Sequence, residues 1–431
     1  LYNDVAGQDA VSDCKDCAAG LYNDQTAQDD AGDCKGCPVG KYSAQAAQDA
    51  VGDCIDCAVG LYQDTTSQTS CKNCAAGLYN DATGQDAASD CTACGNGKYA
   101  DQVAQTAESG CKSCGIGKFQ DTTARTAESD CKSCVIGKYN DQVAQADCKN
   151  CAVGLYNDAT GQDEAGDCKA CPVGLYNDVA GQDAVSDCKN CAAGLYNDQT
   201  GRDEASDCKG CAVGLYSNAV GQDEPWDCQD CAEGKYADQT GLTACHECAK
   251  GKYNTQTAQS AESTCTECAM GTYNTQTAQT SSSACAACGA GKYGDQLAQT
   301  AEASCKDCGA GKYLAQTAQD DETDCIACAA GHYNTLEAQT SSSVCIACGT
   351  GKYVDQTAQV AESACIDCAV GKYNAQTGRT AASDCIVCAV GTYQNTAAQS
   401  SCINCPVGTY NDLTTQDAVG DCKACAAGLY G

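Results

Sequence analysis

Cysteine is the residue type in this chain best suited to chemistry, and its spacing is regular. The 431 residues contain 44 cysteines. All of them fall into 22 C-x-x-C pairs, from Cys14 and Cys17 to Cys422 and Cys425. Successive pairs start 20 residues apart in 17 intervals and 17 residues apart in the other four. Three kinds of chemistry use such pairs: structural disulfides, zinc binding by thiolates and redox-active disulfides.

The first interpretation places one disulfide in each interval, between the second cysteine of one pair and the first cysteine of the next. Each bridge then closes a loop of 16 residues, or 13 in the short intervals. Closing a loop of this size is worth about 3 kcal/mol from chain entropy. The scheme uses 42 cysteines and leaves Cys14 and Cys425 without partners. The predicted pairs include Cys17–Cys34, Cys37–Cys54, Cys57–Cys71, Cys74–Cys91 and Cys151–Cys168.

Zinc and redox activity are the alternatives. The spacing also fits four-cysteine zinc sites, but each such site needs two pairs, so intervals would alternate between sites and linkers. They do not alternate, because every complete interval keeps the same glycine and aromatic positions. Redox-active pairs are disfavoured because the chain lacks a thioredoxin-like strand–helix pattern. The pattern favours disulfides and leaves the other two interpretations open.

Each cysteine pair is followed by the same short pattern, C-x-x-C-[A/P/G]-x-G-x-Y-x-x-x-x-small-Q. We predict that the glycine adopts a positive φ or allows close backbone approach beside the disulfide. The tyrosine is predicted to fill the core, with a carbohydrate-binding row as the alternative. The glutamine is predicted to donate hydrogen bonds to backbone carbonyls of its own or the next repeat. The structural residues of two consecutive repeats are Gly20, Tyr22, Gln28, Gly40, Tyr42 and Gln48.

The elements that position these residues are predicted to be short. No segment has a 3.6-residue apolar period that indicates a packed helix. The G-x-Y-x-x segment is compatible with a strand, and the T-x-small-Q segment is its candidate hairpin partner. The length differences fall after the glutamine, which indicates a tolerant surface bulge there. The predicted fold is a set of small disulfide-rich repeats in an elongated, solenoid-like rod of short β-hairpin loops with little or no helix.

The domain prediction is one continuous array over residues 1–431. No linker or change of composition interrupts about 22 repeats, of which four are short. The sequence starts and stops inside a repeat, at Leu1-Tyr2 and Leu429-Tyr430-Gly431. We therefore expect the array to be truncated at both ends and to continue in both directions.

Charge narrows the choice of partners. Fifty-seven acidic and 25 basic residues leave a net charge of −32, which argues against nucleic acid and anionic membranes. No apolar run is long enough to span a membrane. Acidic residues recur two positions after the tyrosine, so Ca²⁺ binding stays an open alternative. A solvated acidic face is favoured, because Ala44, Thr255 and Thr275 replace that aspartate. No catalytic constellation can be assembled, so we predict a protein that is not an enzyme and needs no cofactor.

Two hexapeptides carry a resemblance to known families. They are C-P-V-G-K-Y at 37–42 and C-P-V-G-T-Y at 405–410, and each is followed by a glutamine and a closing cysteine. This pattern resembles ephrin-receptor-like cysteine-rich repeats and the first module of tumour necrosis factor receptor repeats. The resemblance implies an extracellular, elongated and disulfide-laddered protein.

These features together predict a non-enzymatic extracellular structural protein. Its role would be a rod or filament building block of a cell-surface fibre, stalk or matrix, with copies of itself or other fibre proteins as partners. Disulfides at this density persist in oxidising compartments, which places the protein outside the cell or at its surface. The alternatives are a receptor or adhesin ectodomain and a zinc-binding cysteine array.

Overall fold

The repeating element is a minimal β-hairpin. The structure, a computed structural model, describes residues 1–426. In the complete repeats, a strand of two residues ends at the aromatic residue, and its antiparallel partner is formed by the two residues inside the following C-x-x-C pair. Leu175–Tyr176 pairs in this way with Lys189–Asn190, with Tyr176 directly opposite Lys189. The prediction that the T-x-small-Q segment is the hairpin partner was therefore wrong.

Each repeat starts at the second cysteine of one pair and ends just before the second cysteine of the next. Its disulfide joins its starting cysteine to the first cysteine of that next pair, as in Cys151–Cys168. In the 20-residue repeats, a single 3₁₀ turn immediately precedes the closing cysteine. The four short repeats have no 3₁₀ turn, so the three missing residues are those that form it in the longer repeats. The length variation thus lies in the second half of the loop, as the sequence predicts.

Aspartate fixes many of these 3₁₀ turns. Asp187, the last residue of the turn Val185–Asp187, accepts hydrogen bonds through Oδ2 from the backbone N–H groups of Asp183 and Ala184 at 3.2 and 3.0 Å. These donors lie ahead of the turn and have no partner within it. The acidic residues just before the closing cysteines therefore have a local structural role.

Disulfides form the core of the repeats. Twenty-one bridges lie within residues 1–426, with Cα–Cα distances from 5.6 to 5.9 Å, which is an ordinary geometry. Cys151 and Cys171, each the second cysteine of a pair, are completely buried. The prediction of small disulfide-rich repeats with little helix is confirmed. Within residues 1–426 no helix is long and apolar enough to cross a bilayer.

The described residues form two compact units. The first unit comprises Leu1–Gly210 and Ala219–Asp227. Its hairpins are Leu21–Tyr22 with Lys35–Gly36, Lys41–Tyr42 with Ile55–Asp56, Leu61–Tyr62 with Lys72–Asn73, Leu78–Tyr79 with Thr92–Ala93, Lys98–Tyr99 with Lys112–Ser113, Lys118–Phe119 with Lys132–Ser133, Lys138–Tyr139 with Lys149–Asn150, Leu155–Tyr156 with Lys169–Ala170, Leu175–Tyr176 with Lys189–Asn190, and Leu195–Tyr196 with Lys209–Gly210. Its 3₁₀ turns are Val11–Asp13, Ala31–Asp33, Val51–Asp53, Ala88–Asp90, Glu108–Gly110, Glu128–Asp130, Ala165–Asp167, Val185–Asp187, Ala205–Asp207 and Pro225–Asp227.

The second unit comprises Cys211–Asn218 and the chain from Cys228 onward. Its hairpins are Leu215–Tyr216 with Gln229–Asp230, Lys235–Tyr236 with His246–Glu247, Lys252–Tyr253 with Thr266–Glu267, Thr272–Tyr273 with Ala286–Ala287, Lys292–Tyr293 with Lys306–Asp307, Lys312–Tyr313 with Ile326–Ala327, His332–Tyr333 with Ile346–Ala347, Lys352–Tyr353 with Ile366–Asp367, Lys372–Tyr373 with Ile386–Val387, Thr392–Tyr393 with Ile403–Asn404, and Thr409–Tyr410 with Lys423–Ala424. Its 3₁₀ turns are Glu262–Thr264, Ser282–Ala284, Glu302–Ser304, Glu322–Asp324, Ser342–Val344, Glu362–Ala364, Ala382–Asp384 and Val419–Asp421. The last partial repeat, at Leu429-Tyr430-Gly431, lies outside the described residues.

Candidate structural site at the repeat junctions

Main-chain hydrogen bonds join each repeat to the next. At the junction between Cys151–Cys168 and Cys171–Cys188, the Gly154 N–H donates to the Asn177 carbonyl at 2.7 Å. In the opposite direction, the Gly181 N–H donates to the Cys151 carbonyl at 2.8 Å. Because these bonds use backbone atoms, the same junction can recur while the side chains change.

The predicted disulfide pairs hold the ends of these repeats. The structure joins each of the five predicted pairs, including the short pair Cys57–Cys71, at sequence separations of 17 or 14 residues. Within residues 1–426 only Cys14 and Cys425 are free thiols. Also within that range, no group of three or more His, Cys, Asp or Glu side chains is placed to hold a metal ion.

The repeated glycine leaves space for the backbone of the repeat two places further along the chain. Gly20 and Gly40 have φ of +88° and +79°, values that L side chains rarely adopt. A Cβ on Gly40 would lie 2.3 Å from the carbonyl oxygen of Gly84, which belongs to the second repeat along. On Gly20 it would lie 2.5 Å from the carbonyl oxygen of Ser67. Both reasons proposed for this glycine, a positive φ and close backbone approach, are present at these positions.

The glutamine position contributes through both its backbone and its side chain. The carbonyl of Gln28 accepts a hydrogen bond from the N–H of Asn3, and that of Gln48 accepts from the N–H of Asn23, both at 3.0 Å. The Gln48 side chain donates through Nε2 to the carbonyl of Ala46 in its own repeat at 3.3 Å. The link between repeats is thus made by the backbone of this residue, and its amide side chain stays within its own repeat.

The burial of the tyrosine varies between repeats, and Tyr99, Tyr293 and Tyr393 are buried. Tyr22 and Tyr42 are each half-buried. Tyr22 contributes its backbone to a parallel bridge with Gln48 of the next repeat. In several repeats a lysine lies across the aromatic ring, as with Lys209, whose Nζ is 6.0 Å from the ring centroid of Tyr196.

The residue after the tyrosine is the buried position that sequence reasoning missed. Asn177 is completely buried. Its Nδ2 donates to the carbonyl of Leu155 in the preceding repeat at 2.9 Å, and its Oδ1 accepts from the N–H of Val179 at 3.0 Å. The amide therefore bridges two repeats with both of its ends paired. The available signal was the frequency of asparagine at this position, from Asn3 to Asn411.

Replacing Asn177 by aspartate is expected to lower the free energy of unfolding more than replacing it by alanine. Alanine removes the bridge at a cost of about 1–2 kcal/mol. Aspartate also lacks the donor and places a buried carboxylate against the Leu155 carbonyl, so we expect about 3 kcal/mol or more at neutral pH. Burial raises the pKa of such a carboxyl, so the loss should shrink as the pH falls below that pKa.

Urea unfolding of both variants at pH 7 and pH 4 measures this difference. Asn190→Asp is the matched control, because Asn190 is exposed and aspartate occupies the equivalent position at Asp16. Equal losses for Asn177→Asp and Asn177→Ala at pH 7 would contradict the bridging role.

Most acidic residues two positions after the tyrosine pair with lysines of the facing strand. Asp178 Oδ1 lies 2.7 Å from Lys189 Nζ, and the lysine holds the pKa of the Asp178 carboxyl below its usual value. Eleven such lysine–aspartate pairs occur within residues 1–426. These carboxylates, considered above as calcium ligands, have lysine partners in the same hairpin.

Comparison with known proteins agrees with this arrangement. A search of curated proteins found no significant match. Three segments, 45–91, 160–208 and 377–422, match the family described as tyrosine-protein kinase ephrin type A/B receptor-like. The last segment contains the hexapeptide at 405–410, and the first begins just after the hexapeptide at 37–42. The chain therefore contains tandem cysteine-rich repeats similar to those of the ephrin-receptor-like family.

Proposed function

We propose that this protein is a non-enzymatic extracellular structural protein, a rod or filament building block of a cell-surface fibre, stalk or matrix. The disulfide density and the ephrin-receptor-like repeats support a location outside the cell or at its surface. Such repeats are typical of non-catalytic ectodomains. The main-chain hydrogen bonds between successive repeats support a mechanical role, in which the repeats have to stay joined to one another.

The observation that carries this proposal is the covalent path through the disulfides. Tension on the chain passes from Cys151 across its disulfide to Cys168 and then along three peptide units to Cys171. The bridge spans 5.8 Å between Cα atoms, so the path reaches about 16 Å when fully stretched. The same repeat without its disulfide would stretch to about 70 Å. The bridges therefore limit how far each repeat can lengthen under load.

Single-molecule stretching of the intact chain tests this proposal. Before reduction we expect each repeat to reach at most about 16 Å, with no release of longer segments. After full reduction the limiting length should rise about fourfold. Long extension steps in the oxidised protein would overturn the mechanical role.

A receptor or adhesin ectodomain is the second candidate, and the ephrin-receptor-like matches favour it. Ephrin-receptor-like repeats of this kind would present a binding surface to a separate ligand. The two candidates differ in where the protein is found on the cell. Immunogold labelling that follows the length of a fibre supports the structural role, whereas labelling confined to the plasma membrane supports the receptor.

A further inference from the structure

One position in the repeat changes character along the chain. It is the first residue between the two cysteines of each pair. It is lysine in eleven pairs. In the second unit, five consecutive repeats carry isoleucine there instead, with 43–52% of each residue exposed. We call these residues the isoleucine row: Ile326, Ile346, Ile366, Ile386 and Ile403.

Each member of the isoleucine row lies beside a tyrosine. Ile346 is directly opposite Tyr333 in the antiparallel pair, and Ile366 is directly opposite Tyr353. Directly opposite residues project from the same face of a hairpin, so each of these hairpins presents an isoleucine next to an aromatic ring. The same pairing holds for Tyr313 with Ile326, Tyr373 with Ile386 and Tyr393 with Ile403.

In the repeats of the isoleucine row, both the lysine and most of the aspartates that pair with it elsewhere are replaced by uncharged residues. In repeats with lysine, the lysine pairs with the aspartate two positions after the tyrosine. In the repeats of the isoleucine row, only Asp355 keeps an acidic residue at that position. The others are Ala315, Thr335, Ala375 and Asn395. Exposed valines occur elsewhere on the chain, but the isoleucine row repeats one apolar position in five successive repeats.

The charge of this region indicates which partner fits it. Residues 325–405 hold five acidic and three basic residues, a net charge of −2. Residues 151–231, a stretch of equal length, hold 15 acidic and four basic residues, a net charge of −11. Copies of a chain with a net charge of −32 repel one another. The isoleucine row lies in a stretch of low net charge, where this repulsion is weak.

We propose that a second copy of this chain docks on the isoleucine row, so that the two rows face each other in a symmetric contact. An identical row has the same repeat spacing, and a two-fold contact uses the same patch on both partners. A stable interface buries about 800 Å² on each partner, so the contact requires several repeats together. This inference rests on the proposed structural function and names its lateral contact.

Sedimentation equilibrium of the purified chain from about 1 to 100 µM tests the inference. The test variant replaces all five members of the isoleucine row by threonine, which occupies this position natively at Thr92 and Thr266. We expect wild type to dimerise and the variant to dimerise at least tenfold more weakly. The matched control replaces five exposed valines of the first unit by threonine and should dimerise within twofold of wild type; these are Val51, Val103, Val143, Val179 and Val220.

The outcomes separate this inference from the proposed function. Wild type that stays monomeric at 100 µM would overturn the docking, and so would equal dimerisation of the isoleucine variant and wild type. Thiol titration of the denatured, unreduced variant checks that its disulfides have formed. The stretching limit is a property of single chains. A negative dimerisation result would therefore overturn the docking proposal without contradicting the proposed structural function.

Discussion

Replacing Cys151 and Cys168 together by alanine is expected to lower the local free energy of unfolding by about 3 kcal/mol, within a range of about 2–5 kcal/mol. The bridge closes a loop with a sequence separation of 17 residues, and its loss frees that loop in the unfolded state. Cys151 is also completely buried at the junction with the next repeat. Little else in so small a repeat can compensate.

Native-state hydrogen exchange measures the local loss. The N–H groups of Gly154 and Asn157 donate to the next repeat, and both should exchange about a hundredfold faster. Repeats several positions away should keep their protection, because contacts in such arrays are local. Cys14→Ala is the control, since Cys14 has no disulfide. Uniform acceleration along the whole chain would contradict local stability.

Gly117→Ala is expected to lower the free energy of unfolding by at least about 2 kcal/mol. Gly117 has a φ of +70°, and an L residue in this conformation costs about 1–2 kcal/mol. The new Cβ would also lie 2.4 Å from the carbonyl oxygen of Gly161, in the second repeat along. Since that contact is with backbone, two repeats must move apart to relieve it.

Gly115→Ala is the matched control for this substitution. Gly115 lies two residues earlier, and a Cβ there would meet nothing within 4 Å. Alanine occupies the equivalent position at Ala18 and Ala58. Urea unfolding should therefore show a change of less than about 0.5 kcal/mol for this control. Similar losses for the two variants would show that the close approach of Gly117 to Gly161 is not what requires glycine.

The disulfide core was predictable because strict periodicity limits the alternatives. When every complete interval has the same glycine and aromatic positions, the sequence disfavours an alternation of zinc sites and linkers. The glycine was predictable for a similar reason, since no other residue replaces it in a complete repeat. Both inferences depend on positions where one residue type alone satisfies the geometry.

Two features could not be predicted in this way: the burial of the residue after the tyrosine, and the partner strand of the hairpin. The position of Asn177 also accepts Ala100, Leu314 and Val354, all of them buried, so it has no fixed polarity to indicate burial. Its backbone neighbours can pair with an amide, as at Asn177, and leave room for an apolar side chain, as at Leu314. The hairpin partner was missed because the residues inside the C-x-x-C pair were considered only for what their cysteines do.

The short sequence separation of the disulfides has a consequence for how the protein is made. Each bridge joins consecutive cysteines of different pairs, 14 or 17 residues apart. Eight cysteines alone allow 105 pairings, yet here the correct partner is the next cysteine to emerge during synthesis. Repeats can therefore close in the order in which they are synthesised, and contacts of low sequence separation form quickly. Lengthening the array adds repeats to be oxidised without slowing the folding of those already closed.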